Sequence, residues 1–572
     1  MHNKAVPVQR PWLKSYPPGV PHDIDPGRYS SLIELTERAF ARHAALRAYT
    51  SFGRTLTFGE LDHQSRLFAA FLQNELGLVP GDRLALMMPN VLQYPIAVFG
   101  ALRAGLTLVN TNPLYTEREL LHQLRDSGAK AIVILEQAAH HLAAILPETP
   151  VRHVIVTGVG DLLGLPKGPL VNFVIRHVRR QVPPYALPDA IPFAKTLELG
   201  RWADFRPVTR APTDIAFLQY TGGTTGVSKA AVLTHRNMVA NTLQSTAWLR
   251  QFSTEPAGSV VLTALPLYHI FALTANAFTW LEAGGENVLI ANPRDLPALV
   301  AELGRHRFTH YYGVNTLYNG LLHAPGFSDL DFSSLSACIA GGMAVQASVA
   351  ERWKAATGCV LSQGWGLTET SPVATMTLAG VDFNGSIGLP VPSTDISIRD
   401  DDGAEVASHG TGEICVRGPQ VMAGYWQRPD ETEKVMIDGE WLRTGDVGYM
   451  DDAGYVYIQD RKKDLVLVSG FNVYPNEVED VIAKHPGVRE VAAVPQPDEH
   501  SGEVVAVFVV RSDPALTESG VIEFARRELT GYKLPRHVYF RDELPKTNVG
   551  KILRRALRDE LAQAARASTN PA

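Results

Sequence analysis

The segment "LQYTGGTTGVSKAAVLTH" (218–235) packs three glycines, four hydroxyl residues and one lysine into the nine positions 221–229. Glycines Gly222, Gly223 and Gly226 let backbone N–H groups converge on an anion, and Thr221, Thr224 and Thr225 add hydroxyl donors beside the Lys229 charge. A nucleotide-kinase loop would need Gly, four residues, then Gly-Lys and Ser or Thr. Here the residue five after Gly222 is Val227 and the residue five after Gly223 is Ser228. Lys229 is followed by Ala230, so no hydroxyl stands there to hold magnesium. The loop is therefore an anion cradle of another kind or, taken alone, a turn.

Five further stretches carry groups able to do chemistry, and they follow in order: "LPLYHIFALT" (265–274), "AGGMAV" (340–345), "SQGWGLTETSP" (362–372), "WLRTGDVGYMDDAGYVYIQDRKKD" (441–464) and "LPKTNVGKILRR" (544–555). Among them are two carboxylates, Glu369 and Asp446, and two cations, Arg461 and Lys551. Each has a plain structural reading by itself. "LTE" opens helices, a lone histidine such as His269 is commonly structural, and Gly470 in "SGFNVYP" suits a turn.

The elements that must position these residues are legible in the hydrophobic pattern. From 30 to about 135, helical stretches alternate with apolar runs ("LDHQSRLFAAFLQNEL", "RLALMMP", "YPIAVFGALRAG", "KAIVIL"), which reads as parallel α/β. Residues 213–375 resume that alternation, with the glycine loop between two of its elements. After Asp382, short strands and glycine turns indicate a β-rich subdomain at about 383–461, and beyond about 462 a smaller α+β unit begins. The fold expected is a large N-terminal part, 1–461, of two α/β subdomains plus a distorted β-barrel, followed by a small mobile domain, 462–572. Between the two α/β stretches, 150–212 is rich in Pro and Gly and holds "LVNFVIRHVRRQVPPY", an apolar stripe flanked by Arg176, Arg179 and Arg180. Such a segment either lies on a membrane surface or packs on the core with a solvated basic face.

Composition narrows the function classes. The 572 residues are 45% hydrophobic and 20% charged, with net charge −6 and a pI near 6.3, so no bulk basic field recruits nucleic acid. Three scattered cysteines, Cys338, Cys359 and Cys415, have no metal or disulfide spacing and read as thiols in a reducing compartment. The N-terminus lacks an apolar signal core, and the most apolar run, "VVAVFVV" (504–510), has strand length. A cytoplasmic enzyme is the expectation, with packing of 164–185 on the core as the first reading of that segment and transient peripheral membrane contact through it as the alternative. Oligomeric state stays open, a homodimer included.

The ordered set of motifs resembles the adenylate-forming superfamily of acyl-CoA synthetases, luciferases and adenylation domains, and the resemblance runs from about Ala48 to Arg555. Within it, "YTGGTTGVSKAAVLTH", "QGWGLTETSP" and "SGFNVYPNEVE" are most similar to bacterial long-chain fatty acid–CoA ligases. The family's loop often has Ser, Pro and Gly where Gly222, Ser228 and Ala230 stand here. The resemblance implies ATP, Mg²⁺ and coenzyme A: a carboxylate attacks the α-phosphate to give acyl-AMP and pyrophosphate, and the thiol then displaces AMP.

The resemblance also implies roles for single residues. The loop 221–229 would hold the β- and γ-phosphates, Thr368 the α-phosphate, and Glu369, with Thr224, the magnesium. Asp446 would accept both ribose hydroxyls, with Arg461 as a second ribose contact. Trp365 stands where the family usually has Tyr and would stack on adenine, with Gly341 and Gly342 against the ring's other face and Gln363, Gly364 and Gly366 alongside. Lys551 would bridge carboxylate and α-phosphate, Lys463 would be the hinge, and Ser469, Gly470 and Phe471 would border the pantetheine tunnel. Lys546 and Arg554 read as surface charges. His269 would line the acyl channel near the carboxylate, with Tyr268, Phe271, Tyr312, Gly313 and Met343 as apolar wall. In amino-acid-activating relatives an acid stands near His269; none does here. Alternatives within the superfamily are a medium-chain or aromatic acid–CoA ligase and an acyl-AMP ligase serving a carrier protein. Outside it, the alternative is a non-catalytic nucleotide-binding protein.

Overall fold

The computed structural model describes residues 9–221, 228–253, 255–498, 500–547 and 549–569, the last five as backbone alone. Local signals start the helices. Thr57 and Glu60 form a capping box for Phe58–Asn74, Thr116 and Glu119 do so for Glu117–Ser127, and Thr234 with Asn237 for His235–Leu249. Apolar runs such as Ala131–Leu135 are buried at every position, as parallel strands covered by helices on both faces must be.

Two large sheets result. One has seven strands in the spatial order Ile191–Pro192, His153–Thr157, Ala131–Leu135, Arg83–Met87, Thr107–Asn110, Ile215–Thr221, Lys229–Thr234, parallel except for the last pair. The other has nine strands, with Val260–Thr263, His310–Gly313, Ala337–Gly341 and Leu361–Gly366 running parallel at its centre. The α/β class read from the sequence is the class found. A five-stranded antiparallel sheet follows, from Asp395–Arg399 to Val456–Arg461, matching the β-rich segment. A further sheet, built from Val466–Val468 to His537–Arg541 and packed against Pro475–Ala483 and Arg554–Thr569, has cores of its own around Val478, Ile482, Val507 and Phe508.

In open parallel sheets, ligands bind outside the carboxyl ends of the strands. The ends at Asn110, Thr221, Tyr312 and Gly364 all meet one cavity of about 1660 Å³, whose other wall is the C-terminal unit. No helix among the described residues is long and apolar enough to cross a membrane. The three cysteines are free and buried.

Candidate active site

Antiparallel register sets the first ion pair. Asp446 and Arg461 lie opposite one another on neighbouring strands, and Arg461 Nε donates to Asp446 Oδ1 at 3.0 Å. The other carboxylate oxygen, Oδ2, accepts from the indole Nε1 of Trp365 at 2.8 Å. Trp365 thus makes a contact that the stacking role does not anticipate: its N–H orients the carboxylate. A phenylalanine could not replace that donor.

Glu369 sits in the short turn Thr368–Thr370 after the strand Leu361–Gly366. Its Oε1 accepts from Tyr425 Oη at 2.7 Å, and Tyr425 also lies under Lys229, whose Nζ is 5.3 Å from the ring centroid. Lys229 is paired with Glu431 on the helix Pro429–Val435. Tyr425 and Glu431 were not legible as site residues; the "GYWQRP" stretch around Tyr425 was the available signal. Of the predicted loop, Thr221 and Lys229 line the cavity, whereas Gly222, Gly223, Thr224, Thr225 and Gly226 lie outside the described residues.

Lys551 enters from the C-terminal unit. The turn that presents it is closed by Thr547, whose N–H donates to Lys551 O at 2.7 Å and whose hydroxyl accepts from Lys551 N at 3.0 Å. Thr316 Oγ1 donates to Gly550 O at 2.8 Å and ties that turn to the N-terminal part. Burial and the Arg461 charge lower the Lys551 ammonium to about 8, while Asp446 and Glu369 oppose the shift. The four charges picked out in sequence are therefore electrostatically coupled across one cleft.

The same cavity that holds Lys551 has an apolar lining that includes Tyr268, Phe271, Tyr312, Met343, Ala275, Leu249 and Phe252. His269 lines the cavity too, close enough to Lys551 to feel its charge. Its Nδ1 accepts from Phe271 N at 3.3 Å, so the ring caps the following turn, and burial together with the Lys551 charge lowers it to about 3. It is a neutral imidazole. Asn110 Nδ2 donates to Gln219 Oε1, and Gln219 Nε2 to Tyr268 O, forming a polar floor that the sequence did not reveal.

Several expectations need correction. Gly313 does not line the cavity: a side chain there would press on Tyr318, at 3.0 Å from Cε2. Gly341 is also off the wall, since a Cβ would fall 2.8 Å from Gly364 O and 2.9 Å from Phe271 Cε1. Gly342, Gln363, Gly364, Trp365, Gly366 and Thr368 do line it. Ser469, Gly470 and Phe471 are exposed at the tip of a hairpin and do not line the cavity, and a Cβ added at Gly470 would meet nothing within 4 Å. In this orientation its left-handed backbone, φ +85°, accounts for the glycine. Arg554 and Lys546 are not idle surface charges: Lys546 pairs with Glu490 at 2.8 Å, and Arg554 holds Glu479 and Asp460. Lys463 lines the cavity, and its carbonyl accepts from Arg558 at 3.2 Å.

Comparison with known proteins places this geometry. Residues 36–426 match the family model for AMP-binding enzymes, and 477–551 match the AMP-binding enzyme C-terminal domain. The chain belongs to the AMP-binding enzyme family. It is 56% identical to a long-chain-fatty-acid–CoA ligase of Escherichia coli O157:H7 over 97% of this chain and 98% of that one. It is 39% identical to a long-chain-fatty-acid–CoA ligase of Bacillus subtilis over 96% and 98%. Among solved structures, ATP-bound MatB from Rhodopseudomonas palustris superposes with a TM-score of 0.78 at 28% identity, covering 92% of this chain and 98% of that one. An anthranilate CoA ligase in complex with anthranoyl-AMP shares the fold, with a TM-score of 0.84 at 24% identity over 95% and 100%.

Proposed function

We propose that the protein is an AMP-forming long-chain fatty acid–CoA ligase: it converts the acid to acyl-AMP with release of pyrophosphate, then transfers the acyl group to coenzyme A. The observation that carries this reading is Lys551, delivered by the C-terminal unit to the point where the charged cleft of Asp446, Arg461 and Glu369 meets the apolar arm of the cavity. A carboxylate and a triphosphate repel, and a preorganised cation between them offsets that repulsion in the transition state. The apolar arm supplies about 0.8 kcal/mol per buried methylene, which favours a long alkyl chain over a short one.

In this reading Lys229 and the 221–229 loop hold the outer phosphates, Thr368 the α-phosphate, and Asp446, oriented by Trp365 and Arg461, the ribose. Lys229 must exchange Glu431 for phosphate oxygens. Glu369 fits magnesium: it is a hard oxygen donor on the cavity wall, and among the described residues only Tyr425 donates to its carboxylate. Magnesium, when bound, would neutralise phosphate charge. His269, neutral and fixed by Phe271 N, bounds the acid's carboxylate end. Residues 1–461 act as the nucleotide- and acid-binding body, and 462–572 as a lid hinged at Lys463. After adenylation the lid rotates and brings Ser469, Gly470 and Phe471 to the tunnel for coenzyme A.

Contact with a bilayer, the source of the acid, falls to 164–185. Leu165 is 89% exposed, and Leu170, Phe173 and Val178 are exposed beside Arg179 and Arg180. Arg176 is not part of that basic face, because it pairs with buried Glu136. Co-sedimentation with anionic vesicles should weaken on Leu170→Asp with Phe173→Asp. Unchanged co-sedimentation would refute this placement.

Lys551→Ala tests the reading of the cleft. Acyl-AMP formation should fall by roughly a hundred- to thousandfold, as for loss of one preorganised donor, while thioester formation from supplied acyl-AMP persists. Equal loss in both halves would contradict it.

A further inference from the structure

Among the hydrogen bonds that join the two parts are Thr316 to Gly550 O at 2.8 Å, Asn319 to Arg489 O at 2.9 Å, Ala347 N to Asp480 Oδ1 at 3.2 Å and Arg294 to Thr547 O at 3.5 Å, each with a backbone atom at one end. A stronger connection lies at Asp460, the last residue before Arg461 in the strand Val456–Arg461 of the N-terminal part. Its carboxylate is almost wholly buried, with 1% side-chain exposure. Oδ2 accepts from Asn476 N at 2.8 Å, at the start of the helix Pro475–Ala483 in the C-terminal unit. Oδ1 accepts from Arg461 N at 2.8 Å and from Arg554 at 3.3 Å.

Arg554 follows Lys551 by three residues and opens the last helix. Within its own unit it clasps Glu479 with two hydrogen bonds, Nε to Oε1 at 3.0 Å and a terminal nitrogen to Oε2 at 2.7 Å, and it also reaches Asn476. Arg554, Glu479 and Asn476 therefore travel together when the lid turns, and Asp460 stays behind. Asp460 caps a helix across the hinge and pairs with the guanidinium beside the catalytic turn. Burial pushes the Asp460 carboxyl up to about 6, while Arg554 and the Asn476 N–H draw it back toward the ionised form, and in this orientation those two contacts join the lid to the body.

We infer that Asp460 is a positioning residue for the first half-reaction: through Arg554 and the N-terminus of Pro475–Ala483 it latches the C-terminal unit at the angle that delivers Lys551 to the cleft. The inference rests on the two-step reading above. Asp460 contacts no reacting atom and acts by holding the lid shut.

Asp460→Asn keeps the volume and removes the charge. Acyl-AMP formation, followed as pyrophosphate release in the full-length protein without coenzyme A, should fall roughly 10- to 100-fold, the worth of a charged hydrogen bond. Thioester formation from supplied oleoyl-AMP and coenzyme A should stay at the wild-type rate or rise. Arg554→Met should show the same split, and the double variant should cost no more than the worse single one. Equal loss in both halves, or no loss in the first, overturns the latch. Wild-type protein that forms no acyl-AMP overturns the ligase reading and the latch with it, whereas an active wild type with an unaffected variant overturns the latch alone.

Discussion

Gly342 offers a way to move Lys551 without removing it. Its φ is +79°, so an alanine there incurs about 1–2 kcal/mol for left-handed backbone before any contact is counted. The added Cβ would stand 3.0 Å from Lys551 Cε, 3.6 Å from Nζ and 3.9 Å from Val314 Cγ1. Carbon atoms settle at about 3.5–4.0 Å, so the lysine must yield by about half an ångström. Since a misplacement of about 1 Å costs about a hundredfold, Gly342→Ala should slow acyl-AMP formation roughly tenfold or somewhat more. Thioester formation from supplied acyl-AMP, in which Lys551 has withdrawn, should be unaffected, and thermal unfolding should drop by a few degrees at most. Because Gly342 is also placed against adenine, the decisive comparison is made in the Lys551→Ala background. There Gly342→Ala should add nothing to the loss in the first half-reaction. A further tenfold loss would show that the glycine acts through the nucleotide, and that the lysine contact is incidental.

Other outcomes follow from the same geometry. Trp365→Phe removes the N–H that orients Asp446, a charged hydrogen bond worth about 1.5–3 kcal/mol, so KM for ATP should rise roughly 10- to 100-fold with kcat largely kept; an unchanged KM would refute the orienting role. Tyr425→Phe removes the hydroxyl that fixes the orientation of the Glu369 carboxylate and should raise the magnesium concentration needed for half-maximal pyrophosphate release about 10-fold. With its ammonium at about 8, Lys551 carries charge below that pH and loses it above, so kcat/KM for the first half-reaction should fall as pH rises through about 8; a flat profile to pH 9 would contradict the assignment. His235 and His310 are lowered by burial to about 4 and about 3, below their unfolded value. The unfolded chain therefore binds protons that the native one does not, and stability should fall as pH drops below about 6.5, by up to about 1.4 kcal/mol per pH unit for each histidine; an equal urea midpoint at pH 7 and pH 5 would refute this.

Much of this was legible in the chain. Buried strands such as Ala131–Leu135 and capping boxes such as Thr57 with Glu60 declare themselves within a few residues, so the α/β layers could be read directly. The ordered motifs placed Glu369, Asp446, Arg461 and Lys551, and the cleft gathers them. What escaped depends on contacts far apart in sequence. The donation from Trp365 to Asp446 spans 81 positions and that from Arg554 to Asp460 spans 94, and no local pattern pairs them. Arg554 looked like surface charge because a short basic run reads as solvated until its partners are seen. Gly313 was read as channel wall, although the ring of Tyr318, five residues on, claims the space beside it. The hairpin of Ser469, Gly470 and Phe471 shows another limit, since its place depends on the angle of a whole unit.

The central claim, a long-chain acid activated and then passed to coenzyme A, is tested most directly by pyrophosphate release across acids from acetate to oleate plus benzoate, with and without coenzyme A. The account predicts sustained turnover with long chains that depends on coenzyme A and weakens as methylenes are removed. Preference for acetate or benzoate, or release that stalls after one equivalent despite coenzyme A, would contradict it.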